Sequence, residues 1–373
     1  MLITLRFFFR ARRRPPGSSG AAPAAVSVIV PCKGAAVNFE TCILSLLEQD
    51  YPGEAEYLFV VPSRSDPAFG RLAAVLAGKS TAKLLVSGAE PSECSEKILN
   101  LLHGVRNVSE RSQILLFADC DITVPPGWLT AMARPLEDPS VIAATAHAVP
   151  APPPDNFPGQ VMKAWVCAGI VYLDLMRIIS GNSMAISRRD FALLGVERAW
   201  KTSLSEDLTL TALAKRSGRK IYFAAGAAPR SPGRPDLGEV FTVLNRWMVY
   251  FRFYAKAVWF QGALLTVFKF YSVWWALSRA DLIPLAALAS ADAANVALIS
   301  RAFKPYSGGR GDYEKLSGAA LLRAAVRCSL LAAALQPVYA VNFLVSMFRR
   351  EVTWAGRRYR IDAADRIKVI AAV

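Results

Sequence analysis

Short apolar runs alternate with amphipathic segments in the first third of the chain, and this alternation constrains the fold more than any other feature. Four runs have the length of a β-strand: Val26–Pro31, Tyr57–Val61, Lys83–Val86 and Gln113–Ala118. Three segments between them have helical periodicity: Asn38–Leu47, Arg71–Ala77 and Ser95–His103. The alternation predicts a parallel sheet that helices cover on both faces. Ligands of such folds bind at the carboxyl ends of the strands.

The next part of the chain is less regular. The Ala- and Pro-rich segment Ala144–Phe157 predicts irregular structure, whereas Val161–Ile179 and Ser205–Arg216 predict helices. Pro229–Pro235 forms a further break, and the character of the sequence changes after it.

Three long apolar stretches follow the break: Ala257–Leu277, Leu282–Phe303 and Val326–Phe348. Each reaches the roughly 20 residues that cross a bilayer, and the mean hydropathy of +0.29 is high for a soluble protein. Buried helices of a soluble domain are the alternative, but Trp274 and Trp275 suit an aromatic belt. Basic segments flank the last stretch on both sides and both prefer the cytoplasm. One stretch is therefore expected to lie in the membrane interface or to re-enter the membrane.

The charge of the chain limits its partners. The sequence has 44 Lys and Arg against 29 Asp and Glu, a formal net charge of +15. This excess suits an anionic lipid surface, a phosphate-bearing substrate or a nucleic acid, and it also suits cytoplasmic loops of a membrane protein. No nucleic-acid partner is expected, because the basic residues follow the apolar stretches and form no RNA-binding motif.

The cysteine pattern argues against a zinc site or a disulfide framework. The chain has six cysteines, none with CxxC spacing, and only two histidines. The cysteines are expected to be buried apolar residues in a reducing compartment.

Two acidic motifs are candidates for chemistry. Asp119-Cys120-Asp121 follows an apolar strand, and two carboxylates at this spacing can hold a divalent metal that neutralises a diphosphate; an ordinary loop is the alternative. Ser205-Glu206-Asp207 begins a predicted helix. It can be a helix cap with acidic residues in the first turn, or Asp207 can be a general base for an acceptor hydroxyl.

Basic and aromatic residues supply further candidates. Arg246-Trp247, next to the apolar region, can anchor a helix at the membrane interface, or can bind a diphosphate and a sugar. Lys33 follows the first strand, and Lys97 and Asn100 share one helix face. Each could reach a nucleotide or phosphate, although an exposed lysine is usually only solvated.

The motifs together resemble those of ceramide glucosyltransferases, a group of GT-A glycosyltransferases, over about residues 26 to 365. The sequence that carries the resemblance is, in order: Pro31-Cys32-Lys33-Gly34, Asn38-Phe39-Glu40-Thr41, Asp50-Tyr51-Pro52, Asp66-Pro67-Ala68, Lys97-Ile98-Leu99-Asn100-Leu101, Asp119, Glu206-Asp207, Arg246-Trp247 and the tail from Thr353 to Arg360. Hopanoid-associated bacterial glycosyltransferases are similar as well.

The resemblance implies an inverting transferase that moves a hexose from a UDP-sugar to a lipid hydroxyl. Asp207 would be the base with Glu206 in support, and Arg246 and Trp247 would lie over the diphosphate and acceptor. Asp119 and Asp121 would hold Mg²⁺ or Mn²⁺. The residues expected to bind the nucleotide sugar are Pro31, Lys33, Gly34, Asp66, Lys97, Asn100 and Asp119.

The expected organisation follows from the same resemblance. Residues 1–25 form a basic tail and linker whose charge order does not fit a signal peptide, and residues 26–238 form the GT-A domain. Residues 239–350 form interface and transmembrane helices, and residues 351–373 form a basic tail. The catalytic domain is expected on the cytoplasmic face of the inner membrane.

The sequence departs from the family pattern at Val243, where Gln or Arg is expected before Arg246-Trp247. Valine cannot form the expected hydrogen bonds. This leaves open a non-catalytic membrane protein with a glycosyltransferase fold. A processive polysaccharide synthase is a separate alternative, and it needs a membrane channel, for which three imperfect apolar stretches are few.

Overall fold

The computed structural model describes residues 23–372 except residues 35, 37, 225–226, 282, 285, 288–289 and 291–336. The described residues divide into two compact units. The larger unit comprises residues 23–149, 177–232 and 353–372, and the smaller comprises residues 150–176 and 233–352. The N-terminal tail up to residue 22 lies outside the described residues.

A seven-stranded sheet forms the centre of the larger unit. The strands before residue 232 are β1 (Val26–Pro31), β2 (Ala55–Val61), β3 (Ala82–Val86), β4 (Ile114–Ala118), β5 (Val141–Thr145), β6 (Val149–Pro150), β7 (Ser183–Ser187), β8 (Lys220–Phe223) and β9 (Arg230–Ser231). The order in the sheet is β3-β2-β1-β4-β7-β5-β8, and β6 pairs with β9. The four predicted strands are confirmed as β1 to β4 with ends that agree within two residues.

The sheet is mixed: the four predicted strands are parallel, as expected, and the antiparallel strand β7 was not predicted. β1, β2, β3 and β4 are mutually parallel where they pair, but β7 runs antiparallel to β4 and β5. The short sequence of β7 contains small and polar residues and gave no clear strand pattern. Because β7 is reversed, Gly181 and Asn182 at its start lie at the edge where β4 ends, and Ala118 pairs with Ser183.

Side chains alternate between two cores, as expected for strands buried on both faces. Val28 and Val30 pack into one core together with α1, which spans Phe39–Leu47. Ile29 packs into the other core with α3, which spans Glu96–Arg106. Helices on both faces of the sheet confirm the predicted layered arrangement.

Most helices begin where a polar side chain caps them. The other helices are α2 (Pro67–Val75), α4 (Trp128–Ala133), α5 (Phe157–Leu175), α6 (Arg188–Leu193), α7 (Val196–Trp200), α8 (Glu206–Arg216), α9 (Leu237–Tyr254) and α10 (Lys256–Ser278). α2 begins four residues before the predicted start, because Asp66 caps it and Pro67 occupies its first turn. The segment predicted to be irregular, Ala144–Phe157, is partly regular, since its first two residues complete β5 and Val149 belongs to β6.

The C-terminal residues form a small antiparallel sheet that was not among the predicted elements. Its strands are β10 (Glu351–Trp354), β11 (Arg357–Ala363) and β12 (Arg366–Ala372). The two-residue turn between β10 and β11 has positive φ at Ala355 and Gly356, as tight hairpins require. We call β11 and β12 the C-terminal hairpin.

The smaller unit is helical in its described part. α5, α9 and α10 belong to it, residues 337–348 are helical, and Trp165, Leu244 and Phe343 contribute to its core. A capping box between Asp236 and Glu239 begins α9.

The first apolar stretch of the sequence forms α10, most of the second lies outside the described residues, and the last is described only from residue 337. In the part of the chain that the structure describes, no helix combines the length and the apolar character needed to cross a bilayer.

Candidate active site

Lys97 lies in a charged cluster at the carboxyl edge of the sheet. Its Nζ is 2.5 Å from Oδ1 of Asp119 and 2.6 Å from Oε1 of Glu206. The three residues belong to the first turn of α3, the position after β4 and the first turn of α8. Their side chains are 15%, 22% and 5% exposed, so water screens these charges only weakly.

Burial sets the proton affinities in this cluster, and the neighbouring charges modify them. Burial raises the pKa of Glu206 to about 7, while the charge of Lys97 opposes this rise and the charge of Asp207 adds to it. Burial by itself would lower the pKa of Lys97, but the carboxylates of Asp119 and Glu206 outweigh it and raise that pKa above its ordinary value. Lys97 is therefore cationic at neutral pH, and Glu206 titrates near neutrality.

Asp207 is fixed in orientation by the residues around it. Its Oδ1 accepts hydrogen bonds from Oγ of Ser205 at 2.5 Å and from the N–H of Leu208 at 2.7 Å. Its Oδ2 accepts one from the N–H of Gly181 at 2.9 Å. The side chain is half-buried, whereas Glu206 beside it is buried. Of these two carboxylates, only Asp207 can be reached by a substrate without a rearrangement.

The segment before β7 closes the cluster from the other side. Nδ2 of Asn182 donates to Oδ2 of Asp119 at 2.8 Å. A Cβ atom at Gly181 would lie 2.5 Å from Oε1 of Glu206 and 3.3 Å from both Oδ2 of Asp207 and Nζ of Lys97. A side chain at position 181 would therefore force the Glu206 carboxylate to shift and would crowd the other two charged groups.

Asp119 and Asp121 are the two predicted metal ligands. Lys97 and Asn182 engage the two oxygens of Asp119, and the side chain of Asp121 is exposed. Within the described ranges, no three His, Cys, Asp or Glu side chains are grouped closely enough to hold a metal ion. These donors still fit Mg²⁺ or Mn²⁺, because proteins commonly hold Mg²⁺ with one or two carboxylates, water and substrate phosphates.

Other predicted residues lie at a pocket of about 410 Å³ at the carboxyl ends of β1, β2 and β3. The N–H of Gly34 donates to Oδ1 of Asp66 at 2.8 Å, and the same oxygen caps α2. Gly34 has φ +66, a left-handed conformation that favours glycine. The residues that line the pocket are Lys33, Pro62, Ser63, Ser65, Asp66, Pro67, Gly88, Ala89, Glu90, Glu96 and Arg357.

Two predicted nucleotide-binding residues are buried among protein groups. Pro31 ends β1 and is buried. Asn100 is 2% exposed, and its Oδ1 accepts a hydrogen bond from Oγ of Ser87 at 2.6 Å. In this structure both positions support the strand ends, and neither lines the pocket.

Glu96 connects the pocket with the charged cluster, and the sequence analysis did not select it. Its carboxylate is 5% exposed and lies 2.6 Å from Nζ of Lys33 and 2.8 Å from Nε of Arg357. The next residue in α3 is Lys97. Glu96, Gly181 and Asn182 were missed because their roles depend on contacts distant in sequence; the tail motif that contains Arg357 was noticed only as part of the family resemblance.

Arg246 and Trp247 lie on α9 in the smaller unit. Both are half-buried, and the Trp247 ring centroid is 5.9 Å from that of Trp165. Val243, the residue that departs from the family pattern, is half-buried on the same helix. The structure therefore brings Lys97, Asp119, Glu206 and Asp207 together in the larger unit, and it places the Arg-Trp pair in the other unit.

One of the comparisons with known proteins identifies an enzyme family. The family model described as Glycosyl transferase family 21 matches residues 2–367. No curated protein matches the chain. Among solved structures, the chain is similar to a mannosyltransferase, PcManGT from Pyrobaculum calidifontis in complex with GDP-Man and Mn²⁺, at 17% identity, 92% coverage of each chain and a TM-score of 0.46.

Proposed function

The chain belongs to glycosyl transferase family 21, and we propose that it transfers a hexose from a UDP-sugar to the hydroxyl group of a membrane lipid. The acceptor is a ceramide- or hopanoid-like lipid, and the transfer inverts the anomeric configuration. The observation that carries the proposal is the oriented, reachable carboxylate of Asp207 beside the buried charges of Lys97, Asp119 and Glu206.

Asp207 is the general base of the proposed reaction. It takes the proton of the acceptor hydroxyl while the acceptor oxygen bonds to the anomeric carbon, and the bond from that carbon to the diphosphate breaks in the same displacement. Its three hydrogen bonds hold the carboxylate in one orientation, which lowers the entropic cost of reaching the transition state. The buried Glu206 keeps Lys97 in place instead of meeting the substrate.

The donor's nucleotide occupies the pocket at the ends of β1, β2 and β3. Polar and charged groups from three strand-end loops meet there, at the edge where ligands of α/β sheets bind. Lys33 supplies a positive charge, and Asp66 fixes the loop after β1 through its hydrogen bond with Gly34. Asp121, with Asp119 near it, would hold a divalent cation, which neutralises charge on the diphosphate when bound.

The smaller unit brings the enzyme to its lipid acceptor. One stripe of α10 exposes large apolar side chains at helical spacing, each 57% exposed or more: Phe260, Leu264, Val267, Phe268, Tyr271 and Trp274. Soluble monomers rarely expose such a continuous apolar surface, and a helix of this kind suits the membrane interface. Basic residues at both helix ends, Lys256 and Arg279, suit anionic headgroups. We place the enzyme at the cytoplasmic face of the inner membrane, where UDP-sugars are made.

Lipid profiling tests the proposed reaction. Wild type, Asp207→Asn and Asp365→Asn are expressed in a host that lacks glycolipids and is supplied with ceramide or a hopanoid. Asp365→Asn is the control, because it makes the same chemical change at a residue in an exposed turn. We expect a new hexosyl lipid with wild type and with Asp365→Asn, and a loss of at least about 100-fold with Asp207→Asn.

Equal product from Asp207→Asn and wild type would contradict the role of the base. A polymer made from the UDP-sugar without lipid would instead support a processive synthase. Purified protein that binds no UDP would favour the non-catalytic alternative.

A further inference from the structure

The C-terminal hairpin contributes one side chain, Arg357, to the pocket that we propose for the donor. The other lining residues come from the loops after β1, β2 and β3 and from the start of α3. Arg357 therefore reaches the site from more than 250 positions away in the chain, and Oε2 of Glu96 accepts from its Nε at 2.8 Å. The hairpin is part of the pocket wall.

Two carboxylates of very different exposure hold Arg357. Nε contacts Glu96, whose side chain is 5% exposed, and Nη2 contacts Glu90 at 2.8 Å, whose side chain is 82% exposed. A contact with a solvated carboxylate contributes little free energy, whereas one with a buried carboxylate is costly to break. Glu90 is therefore the partner that a ligand anion can replace at small cost.

Nearby contacts keep the guanidinium group at the pocket. The N–H of Val369 donates to the carbonyl of Ser92 at 3.2 Å, which joins β12 to the segment before α3. Tyr359 and Ile361, on the same face of β11 as Arg357, are fully buried. Arg357 itself is 19% exposed, so its side chain has few alternative conformations.

The geometry points to Arg357 as a ligand of the donor's phosphate groups. With donor bound, a phosphate oxygen replaces Glu90 at Nη2, while Nε stays on Glu96. A planar guanidinium group suits paired phosphate oxygens, and Lys33, on the other oxygen of Glu96, supplies a second positive charge. This inference rests on the proposed function, because it takes the pocket to be the nucleotide site.

Calorimetric titration of the full-length protein with UDP and with uridine tests the inference. We expect Arg357→Ala to weaken UDP binding at least about 10-fold, the effect of a lost charge-assisted hydrogen bond, and to leave uridine binding unchanged. Glu90→Ala should strengthen UDP binding, because the competing carboxylate is gone. Arg358→Ala is the matched control, since Arg358 is the next residue of β11 and its side chain is exposed.

Folding of the variant is checked by its thermal unfolding. Arg357→Ala leaves Glu96 paired with Lys33, so we expect it to fold, and Arg357→Lys serves as a second variant that keeps the charge without the planar fork. An Arg357→Ala variant that binds UDP as wild type does would overturn the inference and leave the proposed function intact. Equal losses for UDP and uridine would also overturn it. A wild type that binds no UDP would overturn both proposals.

Discussion

At the scale of single residues, Lys97 determines the charge balance of the candidate active site. Its ammonium group is the shared partner of Asp119 and Glu206. A buried cation between two carboxylates adds little net stability compared with an apolar core, but its removal leaves the carboxylates uncompensated. The residue is therefore expected to be intolerant of neutral replacement even by a side chain of similar length.

We predict that Lys97→Met lowers the free energy of unfolding by about 3–5 kcal/mol and that the loss grows between pH 6 and pH 8. Glu206 has a raised pKa in the folded protein, so the folded state keeps a proton that the unfolded chain releases above its ordinary pKa. The free energy of unfolding then falls as pH rises from about 4.5 towards 7, and above about pH 7 the contribution of the Glu206 proton is lost completely. Without Lys97 the pKa of Glu206 rises further and the effect extends to higher pH.

Urea unfolding at pH 6 and pH 8 measures this prediction. Adding Glu206→Gln to Lys97→Met should restore part of the stability and remove most of the pH dependence. A Lys97→Met variant as stable as wild type at pH 8 would show that the cluster does not depend on this cation.

Gly181→Ala is predicted to reduce activity by at least about 10-fold, because its Cβ would push the Glu206 carboxylate from its present position and crowd Asp207, the proposed base. The contact of 2.5 Å with Glu206 cannot be kept. Gly70→Ala is the control, since a Cβ at Gly70 meets nothing within 4 Å and Gly70 lies in α2. This control should be as active as wild type and up to about 1 kcal/mol more stable. Initial rates measure the activity of both variants, and thermal unfolding measures their stability.

His147 makes stability depend on pH outside the site. Burial lowers its pKa to about 4, although its hydrogen bond with the carbonyl of Ile178 opposes the shift. Below pH 6.5 the unfolded chain binds a proton that the folded protein does not, so stability falls as pH falls from about 6.5 to about 4, by about 3 kcal/mol in all. In His147→Gln, which keeps a donor for Ile178, the free energy of unfolding should depend less on pH over this range. The same pH dependence in the variant and in wild type would refute the assignment of this effect to His147.

At the scale of secondary structure elements, the start of α8 has two roles that can be separated. Ser205 caps the helix through the N–H of Leu208 and also donates to Asp207. Ser187 caps α6 in the same way and donates to Asp190, away from the candidate site. The two serines therefore form a matched pair.

We predict that Ser205→Ala and Ser187→Ala each lower the free energy of unfolding by about 1 kcal/mol. Only Ser205→Ala should lower kcat, by about 10-fold, because Asp207 loses one of its orienting hydrogen bonds. KM for the donor should change little in both variants. Equal kcat values would mean that the backbone contacts alone position Asp207.

The predictability of these elements follows from how local their signals are. β1 to β4 were found from the sequence because buried parallel strands have continuous apolar runs. α3 was found from its helical periodicity, and Ser205 was recognised as a possible cap of α8. The C-terminal hairpin was missed although β11 and β12 are neighbours in sequence, because its residues were interpreted as a basic tail. β7 was missed because its short strand gains stability from β4 and β5, which are distant in the chain. The same holds for the site: the acidic motifs were visible in the sequence, whereas the contacts of Gly181 and Glu96 exist only in the fold.

At the scale of the whole molecule, net charge and exposed apolar surface favour the same partner. The chain carries a formal charge of +15, and α10 exposes a continuous apolar stripe. Anionic lipid headgroups attract the positive charge, and the boundary between headgroups and acyl chains accommodates the apolar stripe. Membrane attachment of this kind would raise the local concentration of the proposed lipid acceptor.

Vesicle flotation tests this attachment. We predict that the protein binds vesicles containing anionic phospholipid more strongly than zwitterionic ones, and that added salt weakens the binding. Phe268→Ser combined with Trp274→Ser should weaken it at least about 10-fold. Leu193→Ser, which removes an apolar side chain 71% exposed on α6, is the control and should bind as wild type does. Equal binding by the double variant would exclude α10 as the attachment surface.

The reversed direction of β7 has a consequence for mutational tolerance. A strand that enters the site at its beginning can offer main-chain N–H groups there, and the one from Gly181 holds the proposed base. Such a donor does not depend on side-chain identity, and only proline abolishes it. No single-base change converts a glycine codon into a proline codon. A point mutation of Gly181 can therefore crowd this hydrogen bond but cannot remove its donor.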